Sequence, residues 1–183
     1  MKTANILLVL AMGGVVGGVL PEARAQDAPY FHRLDRGQRH LAKYFGYNIP
    51  VGEMDPADPY RRVDASGKSY LRLLYEHLAD CCGMSGEEPV SGDFEDFATL
   101  VTSNLRAHRG TGQDLWEVVI QLTGHGAPGV GLCNYTGTRV ISFARQADLL
   151  REVGDLMDDI NPRAHLVVLA DFCYSELLRD EIG

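Results

Sequence analysis

Two short runs of nearly continuous apolar character limit most strongly what this chain can fold into. They are "LWEVVIQL" at residues 115–122 and "LVVLA" at residues 166–170, and both are rich in β-branched side chains. A strand that is covered on both faces loses the alternation of apolar and polar residues. The two runs therefore predict central strands of a parallel sheet.

Helical periodicity separates and surrounds these strands. Apolar residues recur at helical spacing in the three segments 71–78, 94–105 and 149–160, and a poorer helix is predicted around Tyr30 to Tyr44. Residues 131–143, with "NYTG" in the middle, predict a small hairpin that leads into a helix at Asp148, which Asn161-Pro162 then closes. The expected fold is an α/β three-layer sandwich, a mostly parallel sheet with helices on both faces.

Length and charge narrow the classes of function. A chain of 183 residues with 45% hydrophobic content fits one domain with one core. Its 17 Lys and Arg residues against 25 Asp and Glu residues give a formal charge of -8, and the basic residues are scattered. Since no basic surface for tracking phosphates is evident, nucleic acid is not an expected partner.

The first 25 residues allow two interpretations. Lys2, the uncharged run 6–20 and the small residues at Ala23 and Ala25 are typical of a secretory signal peptide, which would favour a periplasmic or extracellular protein. The run is too short for a membrane span. Alternatively, residues 6–10 are a buried first strand, which would favour a cytoplasmic protein. The main domain is expected at residues 26–183 and is expected to be incomplete.

Four cysteines, at positions 81, 82, 133 and 173, do not fix the compartment. They form no CxxC pair and no ladder with histidines at zinc spacing, so neither a metal nor another cofactor is expected. In an exported chain, Cys133 would be able to pair with Cys81 or Cys82. Cys173 would then be a free thiol.

A histidine and a cysteine follow the two predicted strands. His125 lies three residues beyond the first run and Cys173 three residues beyond the second. Ligands of open α/β sheets bind at the carboxyl ends of the strands, so a thiol and an imidazole would face one crevice. An imidazole can accept the thiol proton, and Gly126, without a Cβ, can bring its N–H close to a developing oxyanion beside the N–H of Cys173. The alternative is a turn histidine and a small buried cysteine.

The motifs around these residues resemble those of caspase-like cysteine peptidases. "LTGHGAPG" at 122–129 is similar to the His-Gly motif of the legumain branch, and "DFCYS" at 171–175 is similar to the D/E-x-C-x-S-G motif of legumains and metacaspases. The similar block runs from residue 94 to 178, and the separation of 48 positions from His125 to Cys173 agrees with the caspase spacing of about 50. The resemblance implies a caspase-like fold.

It also implies residue roles. Cys173 would be the nucleophile, His125 its acid/base partner and Gly126 N–H an oxyanion donor. Asp171 would help to line the S1 pocket, which implies cleavage after a basic residue or asparagine; its alternative is a strand-end cap. The segment "EARAQDA" at 22–28 is similar to the segment after the first strand in which legumains keep a pocket arginine, so Arg24 is a candidate substrate-binding residue.

Three features depart from the family pattern. Glu176 stands where a glycine follows the motif serine, only ten residues follow Cys173, and the expected first strand coincides with the signal-like segment. The sequence therefore predicts a cysteine endopeptidase whose C-terminal strands are missing or come from a second chain. The alternatives are a non-catalytic caspase-like binding module and another thiol-dependent hydrolase or acyl transferase.

Overall fold

The computed structural model describes residues 5–10, 42–49, 71, 75–76, 85–86, 90–134 and 136–182. For residues 5–10 and 85–86 only the backbone is described. The elements in chain order are β1 Asn5–Leu10, β2 Ala42–Asn48, β3 Ser85–Gly86, α1 Phe94–Thr111, β4 Glu117–Thr123, β5 His125–Ala127, β6 Gly131–Cys133, β7 Val140–Ile141, α2 Phe143–Ile160, β8 His165–Asp171 and α3 Glu176–Ile182.

Five strands form one sheet in the order β1-β8-β4-β2-β3, and every neighbouring pair is parallel. The central strands β4 and β8 are those predicted at 115–122 and 166–170, with bounds that shift by one or two residues. A second, antiparallel sheet has the order β5-β6-β7. The protein is thus a mixed α/β fold with a parallel sheet, as predicted at this coarser level.

The apolar residues of the sheet divide into two clusters because side chains alternate along each strand. Val118, Ile120 and Leu122 of β4 belong to the larger cluster, which they share with residues of α1, α2 and α3. Val119 and Val167 belong to a smaller cluster on the opposite face. Both faces of the central strands are therefore covered, which explains their continuous apolar sequence.

Side chains cap the first turns of the two long helices. The Asp93 side chain accepts a hydrogen bond from the N–H of Glu95 at the start of α1, and Ser142 accepts one from the N–H of Arg145 at the start of α2. The hairpin of β6 and β7 precedes α2 as predicted. The helix begins at Phe143, five residues before the predicted Asp148, and ends at Ile160 before Asn161-Pro162.

The poorer helix predicted around Tyr30 to Tyr44 is wrong for its last residues. Ala42–Asn48 forms β2, which pairs along its whole length with β4, and residues 30–41 lie outside the described part. Tyr44, Phe45 and Tyr47 are each at most 1% exposed. These aromatic side chains project alternately to both faces of the sheet, and that burial outweighs the weak helical spacing.

Residues 5–10, for which the sequence allows either a signal peptide or a first strand, form β1 at one edge of the sheet. This strand pairs with β8 in parallel, from Asn5 opposite His165 to Leu10 opposite Ala170. β4, the strand that leads to His125, lies between β8 and β2 and does not contact β1 in the sheet. Processing of the N-terminal segment as a signal peptide stays a prediction.

Candidate active site

The two strands that precede the candidate residues end at the same level. β4 and β8 are neighbours in register, and their last residues, Thr123 and Asp171, are directly opposite each other. His125 and Cys173 each lie two residues further along the chain. The topology therefore brings both candidate residues to the carboxyl edge of the sheet, where parallel α/β folds bind ligands.

Close backbone packing joins the histidine segment to the cysteine segment. A Cβ added to Gly126 would collide with the carbonyl oxygen of Cys173, and it would lie 2.7 Å from the carbonyl carbon and 3.0 Å from the backbone nitrogen of that residue. No other residue type fits at this position without moving one of the two segments. Glycine at position 126 thus holds two backbone segments of the site together.

The Cys173 thiol lies at the surface, between a buried phenylalanine and a sharp turn of the backbone. Phe172 is 5% exposed and stacks on Phe143, with ring centroids 6.4 Å apart, whereas Cys173 is exposed. Tyr174 has φ of 61°, a left-handed conformation that is costly for a residue with a Cβ. The chain therefore turns sharply directly after the cysteine and presents it to solvent.

His125 begins β5 and is half-buried. In the small antiparallel sheet it is opposite Cys133 of β6. The preceding Gly124 packs tightly, since a Cβ there would lie 2.6 Å from the side chain of Ile49 and 2.8 Å from that of Leu132. These contacts fix the path of the chain between β4 and the histidine.

A row of three polar residues crosses the carboxyl edge of the sheet. Asn48, Thr123 and Asp171 are register partners on β2, β4 and β8, so their side chains share one face of the sheet. Asn48 is 3% and Thr123 9% exposed, and the Thr123 hydroxyl has no hydrogen-bond partner in the described part of the chain. The sequence pattern singled out only Asp171, because the register of the strands is not readable from it.

Asp171 lies in an environment that disfavours its charge. Partial burial at the end of β8 raises the pKa of this carboxyl above its ordinary value. Among the described residues, no hydrogen bond or ion pair to its side chain opposes this effect. A cationic or hydrogen-bonding ligand would relieve the cost of the buried carboxylate.

The other candidate residues have simpler outcomes. Arg24, Cys81 and Cys82 lie outside the described residues, so the pocket arginine and the disulfide pairing stay predictions. Glu176 is exposed and begins α3. In the part of the chain that is described, no group of three His, Cys, Asp or Glu side chains is arranged to hold a metal ion.

Comparison with known proteins gives this chain no assignment. No protein-family model matches it, and no curated protein matches its sequence significantly. Among the described residues, none of the helices has the length and apolar character needed to cross a membrane.

Proposed function

We propose that this protein is a caspase-like cysteine endopeptidase that uses Cys173 and His125. The observation that carries the proposal is the contact of the Gly126 and Cys173 backbones at the ends of two paired parallel strands. It brings a histidine and an exposed thiol to neighbouring positions. The unusual backbone conformation of Tyr174 supports the same conclusion, because such strain concentrates at functional sites.

In the proposed reaction, His125 accepts the proton of the Cys173 thiol, and the thiolate attacks the carbonyl carbon of the scissile peptide bond. The backbone N–H groups of Gly126 and Cys173 donate hydrogen bonds to the resulting oxyanion. The C–N bond then breaks, and His125 returns its proton to the leaving amine. Water hydrolyses the thioester, which releases the acid product and restores the thiol.

The proposed three-layer architecture has support on the second face of the sheet. Tyr75, in a segment with helical backbone, stacks on Tyr44 of β2 with ring centroids 5.9 Å apart. α1 and α2 cover the opposite face. A helix that includes Tyr75 would complete the third layer of a caspase-like fold, in which β2 lies next to β4, the strand that leads to His125.

The polar row suggests the substrate. We propose that Asp171, with Asn48 and Thr123 beside it, contacts the side chain that precedes the scissile bond. Basic side chains and asparagine are both suited to this row, because one supplies a positive charge and the other hydrogen-bonding atoms. The raised pKa of Asp171 predicts that preference for arginine over asparagine increases with pH as the carboxyl ionises.

The experiment compares wild-type protein with the Cys173→Ala and His125→Ala variants on fluorogenic peptide amides that end in Arg, Lys or Asn. Each substitution removes a group that forms or breaks a bond, so we expect a loss of kcat/KM of at least about a thousandfold. His165→Gln, at the opposite end of β8, is the control and should retain activity. Hydrolysis that survives in either site variant would refute the dyad.

Thiol labelling separates the enzyme from the alternative of a caspase-like binding module. A peptidyl acyloxymethyl ketone should modify Cys173 rapidly at neutral pH in wild type and slowly in His125→Ala, because the histidine activates the thiol. Mass spectrometry of the digested protein identifies the labelled cysteine. Slow labelling of wild type at the rate of a model thiol would favour the binding module.

A second chain that supplies further strands stays part of the proposal, with one structural condition. The outer edge of β8 is already paired with β1. A strand from another polypeptide would have to displace β1 before it paired with β8, the strand that leads to Cys173.

A further inference from the structure

A cavity of about 680 Å³ lies beside the small antiparallel sheet and is lined by none of the candidate catalytic residues. Its walls come from the end of β2, the first turn of α1, β7 and the first turn of α2. The strand β6 lies between β7 and the His125 strand β5, so β7 is separated from β5 by one strand.

One wall of this cavity is a strand edge that pairs with no other described strand. Within the described part of the chain β7 is the last strand of its sheet, and Asn134, directly after β6, forms a hydrogen-bonded pair with Arg139, directly before β7. Hydrogen-bonded and non-hydrogen-bonded pairs alternate in an antiparallel ladder. Val140, opposite Cys133, therefore directs its N–H and C=O away from β6. Val140 is 49% exposed, and its backbone N–H and C=O form no hydrogen bond with another described residue.

Two carboxylates and two guanidinium groups are among the residues that line the cavity. Arg145 is held by Glu95 through two hydrogen bonds, and Asp93 accepts the N–H of Glu95 as the cap of α1. Arg139 is exposed and makes no ion pair with any described residue. Arg139 is one of the residues that line the cavity.

The remaining walls combine the polar residues Thr138 and Ser142 with an apolar floor. Tyr47, Ile49, Phe94 and Ile141 contribute to the lining, and each of these side chains is buried in the core on its other side. An apolar side chain entering the cavity would contact this floor, while an adjacent carboxylate would reach Arg139. An extended backbone would at the same time pair with Val140.

We propose that this cavity is a peptide-docking site that adds an extended segment of a partner protein to the edge of β7. The segment carries an apolar side chain for the cavity and a neighbouring acidic side chain for Arg139. Strand addition supplies the backbone hydrogen bonds, and the two pockets supply selectivity. The site is independent of the proposed peptidase reaction, since it uses none of its residues.

The test is fluorescence anisotropy with a fluorescein-labelled hexapeptide of sequence Ser-Val-Leu-Glu-Val-Ser, against wild-type protein and four variants. Arg139→Glu should weaken the affinity about tenfold, whereas Arg163→Glu, the same charge change at the opposite end of the sheet, should leave it nearly unchanged. Val140→Pro removes the N–H that points away from β6 but leaves the hydrogen bonds between β6 and β7 in place. It should weaken the peptide affinity about fivefold. Val140→Thr keeps the N–H and should bind as wild type. Circular dichroism verifies that each variant is folded.

Several results would overturn the proposal. They are absence of saturable binding to wild type, equal losses for Arg139→Glu and Arg163→Glu, and unchanged binding in Val140→Pro. Binding that is lost in Cys173→Ala would move the peptide to the candidate active site. A concentration-dependent dimer that Val140→Pro abolishes would assign this edge to a second copy of the chain instead.

Discussion

Gly126 is the residue on which the geometry of the candidate site depends most. Its Cα faces the Cys173 backbone so closely that the smallest side chain collides with a carbonyl oxygen. Main-chain atoms have no rotamer to move into, so relief requires a shift of β5 or of the loop after β8. Either shift would change the relation between the histidine and the thiol.

We therefore expect Gly126→Ala to reduce kcat/KM by at least about a hundredfold, because a misplacement of about 1 Å is enough for such a loss. Gly110→Ala is the matched control, since a Cβ at this helical position meets no atom within 4 Å. The control should retain activity and gain about 0.5–1 kcal/mol in the free energy of unfolding, measured by urea denaturation. Full activity of Gly126→Ala would show that the backbone contact is not needed for catalysis.

At the scale of secondary structure, the central strands were predictable and their surroundings were not. β4 and β8 are buried on both faces, so their sequences are almost continuously apolar. This pattern can be recognised in each strand's own sequence, without knowledge of the strands that pair with it. β2 has a similar burial pattern, but Lys43 and Gly46 interrupt its apolar residues. The spacing of the remaining apolar residues is therefore also compatible with a helix. The pairing of β2 with β4 decides the matter, and this pairing is a tertiary effect.

The candidate site divides in the same way. His125 and Cys173 could be found from their positions after two recognisable strands. Asn48 and Thr123 could not, because only the register across three strands makes them neighbours of Asp171. The only sequence feature that marks Thr123 is its position, a polar residue at the end of an apolar strand and two residues before His125. No sequence feature marks Asn48.

Strand β4 also carries a buried acid at its other end. Glu117 is 4% exposed, one of its carboxyl oxygens has no hydrogen-bond partner in the described part of the chain, and burial raises its pKa from 4.5 to about 6. Such a shift means that the folded state binds a proton more tightly than the unfolded state. The contribution of Glu117 to stability is therefore most favourable below pH 4.5 and decreases as pH rises through 6, with a cost of about 2 kcal/mol at neutral pH.

We therefore expect Glu117→Gln to raise the free energy of unfolding by about 1–2 kcal/mol at pH 7 and by little at pH 4, because glutamine does not ionise. Urea denaturation at a series of pH values should show the gain in the free energy of unfolding developing between pH 4 and pH 7. Glu181→Gln, at an exposed position, is the control and should show no such pH dependence. An equal gain at pH 4 and pH 7 would mean that the carboxyl ionisation is not its cause.

At the scale of the whole molecule, the open question concerns the two edges of the larger sheet. β3 is a two-residue strand at one edge, and β1 pairs at the other edge with β8, the strand that leads to Cys173. β8 is seven residues long and mostly buried. Without β1, its unpaired N–H and C=O groups would form a template for another strand.

Removal of residues 1–25, as signal cleavage would produce, should therefore make the protein associate or accept another chain. We expect sedimentation velocity to show concentration-dependent species larger than the monomer, and thermal unfolding to begin at a lower temperature than in the full chain. The full chain at the same concentrations is the control. A shortened protein that remains monomeric and unfolds at the same temperature would show that β1 is not needed to protect β8, and it would remove the structural reason for expecting a second chain at this edge.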